Sequence, residues 1–78
     1  MPNSRYLQIA GGYAWAPLRV GLVLRNPAGS EVYCQPGDDE TAMRETLEAL
    51  EEATDGMPAD KAAALTDMAL GEYFADVA

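Results

Sequence analysis

Asp38-Asp39-Glu40 is the run in this chain best equipped for chemistry, three adjacent carboxylates directly after Gln35-Pro36-Gly37. Neighbouring acids can hold a hard divalent ion, but a calcium loop spaces its oxygen ligands at alternate positions and closes on a distant Glu, a ladder this stretch lacks. Helix initiation accounts for the same residues. Asp38 is placed as an N-cap, and Asp39 and Glu40 complement the positive end of a helix dipole. Cys34 is the single cysteine, and the chain contains no histidine, so a thiol nucleophile would have no imidazole to activate it. Ser4 and Ser30 lie in no recognisable nucleophile motif. Gly11-Gly12 lacks the glycine spacing and the lysine of a phosphate loop. The expectation is a protein without catalytic residues, cofactor or metal.

The other chemistry available is charge. Residues 1–37 carry Arg5, Arg19 and Arg25 against Glu31, whereas residues 38–78 carry twelve acids against Arg44 and Lys61. The net charge of −8 therefore originates in the C-terminal half. A field of one sign costs self-repulsion and attracts basic partners, while repelling nucleic acid and anionic membrane. Within it, Glu45, Glu48, Glu51, Glu52 and Asp55 fall on one side of a helix at about 100° per residue, centred about 140° from the apolar stripe Met43, Leu47, Leu50 and Thr54. These five acids span about 15 Å, or one charge per 3 to 4 Å, close to the spacing of about 3.4 Å along one strand of B-DNA. Two readings stand side by side: a solvated helix face, and a face that binds protein. Arg44 is within (i, i+4) reach of Glu48, and the remaining acids have no adequate local cation.

These residues must be positioned by a small domain. A chain of 78 residues forms one unit, able to bury about 60 to 65% of its unfolded surface. Leu, Ile, Val and Phe supply only 14 residues, a disorder-like proportion, yet Trp15, four tyrosines and four methionines add bulk and the apolar positions are periodic. A lone cysteine and an N-terminus without an apolar core segment fit a soluble, cytoplasmic protein; its oligomeric state is left open by the sequence, with a monomer favoured.

Tyr6 to Ile9 reads as a strand ending at Gly11-Gly12. In Leu18 to Arg25, Leu18, Val20, Leu22 and Leu24 alternate with Arg19, Gly21, Val23 and Arg25, predicting a strand with one buried face. Asn26-Pro27-Ala28-Gly29 matches a type I turn, and Glu31 to Gln35 returns antiparallel with Val32 and Cys34 inward. Tyr13-Ala14-Trp15-Ala16-Pro17 either extends the second strand backwards or loops across one end of the sheet. Trp15 accordingly either plugs the core's open edge or stands exposed as a binding anchor. A helix over 38–55 ends at Gly56 as its C′ residue. Pro58 opens a second at its first position, with Asp60 in the first turn. Ala62, Ala63, Leu65, Thr66, Ala69, Leu70, Tyr73, Phe74 and Val77 give it a broad apolar sector, and Gly71 kinks or ends it. The short connection predicts an antiparallel helix pair. The plan is α+β: three antiparallel strands followed by two helices, βββαα, in a single domain whose residues 1–37 form the sheet and 38–78 the acidic helical part.

In size, α+β plan and the acidic run Asp38 to Asp55, the chain resembles the small acidic anti-CRISPR-type inhibitors, some of which imitate a nucleic-acid backbone. That resemblance implies a stoichiometric, non-enzymatic inhibitor occupying the basic groove of a nucleic-acid-binding protein, a CRISPR effector among the candidates, without itself binding nucleic acid or membrane. The helix geometry places the binding face at Asp38, Asp39, Glu40, Glu45, Glu48, Glu51, Glu52 and Asp55, with Trp15 as an anchor. A second likeness is local. Gly37-Asp38-Asp39-Glu40-Thr41 followed by Leu47-Glu48-Ala49-Leu50-Glu51-Glu52-Ala53 is similar to the loop and helix of HicB-like antitoxin domains, which implies an antitoxin or small adaptor.

Overall fold

The structure, a computed structural model, describes residues 6–75. Four antiparallel strands, β1 (Leu7–Gln8), β2 (Ala14–Pro17), β3 (Leu22–Arg25) and β4 (Glu31–Cys34), lie in the order β1-β2-β3-β4. They are followed by α1 (Asp38–Thr54), α2 (Ala59–Leu70) and a 3-10 segment, Gly71–Phe74. The α+β plan holds, with one strand more than the three expected. Tyr13 to Pro17 is neither a loop nor an extension of the next strand. Ala14–Pro17 forms its own strand, pairing with β1 through Leu7↔Trp15 and with β3 through Trp15↔Leu24 and Pro17↔Leu22.

The added strand comes from a break in the middle of the predicted second one. Leu18 to Gly21 turns the chain, the Leu18 N–H donating to the Gly21 carbonyl at 3.0 Å. Leu18 and Val20 are consequently 41% and 53% exposed, whereas Leu22 and Leu24 are fully buried. Alternation alone could not separate these four leucine and valine positions, because a turn inserted in an alternating run preserves its parity. β1 is shorter than Tyr6 to Ile9 because the Ile9 N–H already donates to the Tyr13 carbonyl at 2.8 Å, closing the chain over a 3-10 turn at Ala10–Gly12. The turn at Asn26-Pro27-Ala28-Gly29 forms as expected, with the Gly29 N–H donating to the Asn26 carbonyl and Asn26 Oδ1 accepting from the Ser30 N–H.

One sheet face, carrying Leu22, Leu24 and Cys34, packs on Met43, Leu47 and Leu50 of α1 and on Leu70 and Phe74 beyond it, with Tyr13 completing the core. Trp15 and Val32 pack against it half-buried. Thr66 is also fully buried, its hydroxyl satisfied by donation to the Ala62 carbonyl at 2.8 Å. On the opposite face, Arg25 lies over the Tyr6 ring at 3.9 Å and pairs with Glu31 at 2.9 Å, while the Tyr6 hydroxyl donates to the same carboxylate. The Tyr6 donation, followed by Arg25, holds the Glu31 carboxyl below its ordinary range.

Helix boundaries differ from expectation by one residue at two ends. Gly37, not Asp38, is the N-cap of α1, and Pro58 is the N-cap of α2 rather than its first helical residue. Asp38 thus stands inside the first turn and makes no capping hydrogen bond, so its contribution there is to the dipole. Gly56 is the C′ residue of α1, and α2 gives way to the 3-10 segment at Gly71. The expected place of Val77 lies outside the described residues.

Two measurements test this packing. Leu47 is 7% exposed, so Leu47→Ala should cost about 2 to 3 kcal/mol in urea unfolding, the low end of the range for buried leucine because one side of the position opens to a groove. A loss below about 0.5 kcal/mol would place Leu47 outside the core. Tyr13, 4% exposed, donates its hydroxyl to Asp67 at 2.7 Å. Burial first, and that hydrogen bond second, push its phenol up to about 12. The folded state therefore keeps a proton that the unfolded chain releases near pH 10. The resulting stabilisation is complete below pH 10 and disappears between about pH 10 and 12, worth about 2 to 3 kcal/mol. Tyr13→Phe should flatten this alkaline fall. Superimposable alkaline melts of the two proteins would show that Tyr13 contributes none of it.

Candidate protein-binding face

α1 has two sides because its sequence does. Met43, Leu47 and Leu50 are buried and Thr54 is half-buried, donating its hydroxyl to the Leu50 carbonyl at 2.7 Å. Away from that stripe Glu45, Glu48, Glu51, Glu52 and Asp55 are all exposed. None of these five carboxylates makes a salt bridge or hydrogen bond with another described residue. The ion pairs present among the described residues are Arg25–Glu31 and Arg44–Glu40. The sequence-predicted acidic front is thus presented as one surface by a helix whose back is fixed in the core.

The first-turn acids behave differently. Asp38 and Asp39 are exposed, and Asp39 accepts a long hydrogen bond from Gln35 Nε2 at 3.4 Å. Glu40 is half-buried and ion-paired with Arg44 at 3.0 Å, which removes it from the free front. This pairing corrects the expected Arg44–Glu48 contact. Both are (i, i+4), but the acid on the N-terminal side is the better-oriented arrangement on a helix, a signal already legible in the sequence. Among the described residues, no three carboxylates or thiols gather as metal ligands. Cys34 is buried, and burial, with Asp39 and Glu40 adding to it, pushes its thiol up and away from thiolate.

Trp15 occupies a position between the two expected ones. It packs against the core from the same sheet face as Leu24, yet it remains half-buried and lines a groove of about 350 Å³. The groove runs between the β1–β2 end of the sheet and α1, with Ile9 and Leu47 on its walls and Glu48 and Glu51 among its lining residues. The guanidinium of Arg44 stands over the Trp15 ring at 5.4 Å. Sequence reasoning identified Trp15, Glu48 and Glu51 separately. That they share a groove with Arg44 follows from strand β2, which the sequence left undecided.

Among the described residues no helix is long and apolar enough to cross a membrane. No protein-family model, curated protein or solved structure matches the chain.

Proposed function

We propose that this chain is a non-enzymatic, acidic binding protein that occupies the basic, nucleic-acid-binding surface of another protein, presenting α1 in place of a phosphate backbone. The observation carrying this reading is the set of five exposed carboxylates, Glu45, Glu48, Glu51, Glu52 and Asp55, left without partners among the described residues on a helix whose other side is committed to the core. Keeping like charges this close costs each helical pair a few tenths of a kcal/mol, about 0.2 to 0.5. A basic partner converts that cost into attraction and releases it on binding. Asp38 and Asp39 extend the acidic surface towards the helix N-terminus. The partner is a basic protein or complex, with a CRISPR effector as one instance of the class, met by a monomer in the cytoplasm.

The reading predicts competition with the molecule being imitated. A partner captured on the immobilised chain should be a nucleic-acid-binding protein, released by added duplex DNA and by raised salt. Capture indifferent to both would reject phosphate mimicry.

A further inference from the structure

The groove beside the acidic front has a chemistry of its own. Its lining is apolar at Ile9 and Leu47, includes the indole of Trp15, and takes from Glu48 and Glu51 two carboxylates that are unpaired among the described residues. Carboxylates alone would attract any cation. Beside an aromatic face and an apolar wall they favour a planar cation on a methylene stem, because a guanidinium stacks on a ring and bonds a carboxylate with two parallel donors, while its stem covers apolar surface. The molecule supplies an internal example, since Arg44 already sets its guanidinium over Trp15 while bonding Glu40.

We infer that the groove between Trp15 and α1 is an anchor site for an arginine side chain of the basic partner, gripped by Glu48 and Glu51 against the indole. The inference rests on the proposed protein-binding role of the acidic face and locates its centre. Charge complementarity selects the occupant: of the charged residues lining the groove, Glu48 and Glu51 outnumber Arg44, whose own charge is met by Glu40, so the groove remains negative with Arg44 in place. Arg44 is then a built-in competitor for the ring, and a partner arginine must share or displace it.

Trp15 is the single tryptophan, so the fluorescence of the intact chain reports on the groove directly. The probes are blocked tripeptides, acetyl-Gly-Arg-Gly-amide and its lysine and citrulline counterparts, at low salt. Citrulline keeps the shape of arginine without its charge, and lysine keeps the charge without its plane. The arginine peptide should give a saturable change, bind about fivefold tighter than the lysine peptide, and leave the citrulline peptide inactive. Glu48→Gln with Glu51→Gln should abolish saturation, whereas Glu45→Gln with Glu52→Gln, on the same helix away from the groove, should weaken it less than about twofold. Arg44→Gln should tighten binding by vacating the ring. Equal loss in both acid pairs, or equal affinity for arginine and lysine, would overturn the anchor and leave only diffuse attraction. A Trp15 signal that follows protein concentration without peptide would assign the groove to a second copy of the chain and overturn it too. If the peptides fail while a DNA-displaceable partner is still captured, the anchor is wrong and the proposed function stands.

Discussion

Gly21→Ala should destabilise the domain by about 4 kcal/mol and lower its melting temperature by about 20 °C. Gly21 has φ of +85° at the end of the β2–β3 turn, where an L side chain is strained. A Cβ there would overlap the Cys34 carbonyl oxygen and lie 3.0 Å from the Tyr33 ring. The carbonyl belongs to backbone, so the clash cannot be relieved by rotating a side chain; β3 and β4 would have to separate where Leu22 pairs with Cys34. At about 0.05 to 0.15 kcal/mol of stability per residue, this loss takes up a large part of what the domain has. Gly29→Ala is the control. Gly29 also has positive φ, +94°, but nothing lies within 4 Å of its added Cβ, so only the backbone strain of about 1 kcal/mol should appear. Thermal melts by circular dichroism compare the two, and a Gly21→Ala protein melting within about 3 °C of the original would refute the close approach.

Reversing Glu48, Glu52 and Asp55 to lysine together should leave the fold intact and reduce partner affinity by at least about a hundredfold, since like charges brought together at an interface cost several kcal/mol. All three side chains are exposed and free of ion pairs among the described residues, and the net charge moves from −8 to −2, relieving repulsion along α1. Melting should therefore change by no more than surface substitutions usually do, about 0.5 kcal/mol each. Binding to the DNA-displaceable partner, read by calorimetry or capture, should collapse. Single reversals should act chiefly on association rate and salt dependence, because diffuse charge steers encounter more than it fixes the final complex. A folded triple variant that still holds its partner would reduce the acidic front to a solubilising role and move the binding surface to Trp15 and its neighbours.

Local periodicity and charge determined a good deal about this protein. The stripe Met43, Leu47, Leu50 and Thr54 and the acids opposite it were legible because a helix repeats its faces every 3.6 residues whatever it packs against. The turn at Asn26 to Gly29 and the C′ glycine at 56 were legible because those residue types match the backbone their positions require. Tertiary structure decided what parity and composition cannot express. Leu18, Val20, Leu22 and Leu24 share one phase, and only the pairing of Pro17 with Leu22 shows that the chain turns between Leu18 and Gly21. That turn makes β2 a strand of its own and sets Trp15 between Leu7 and Leu24 on the helix-covered face. Trp15, Arg44, Glu48 and Glu51 then line one groove although Trp15 and these helical residues lie far apart in the sequence. Helical faces are written in spacing along the chain, but a groove between a sheet and a helix depends on strand register and packing, which arise only when distant segments meet.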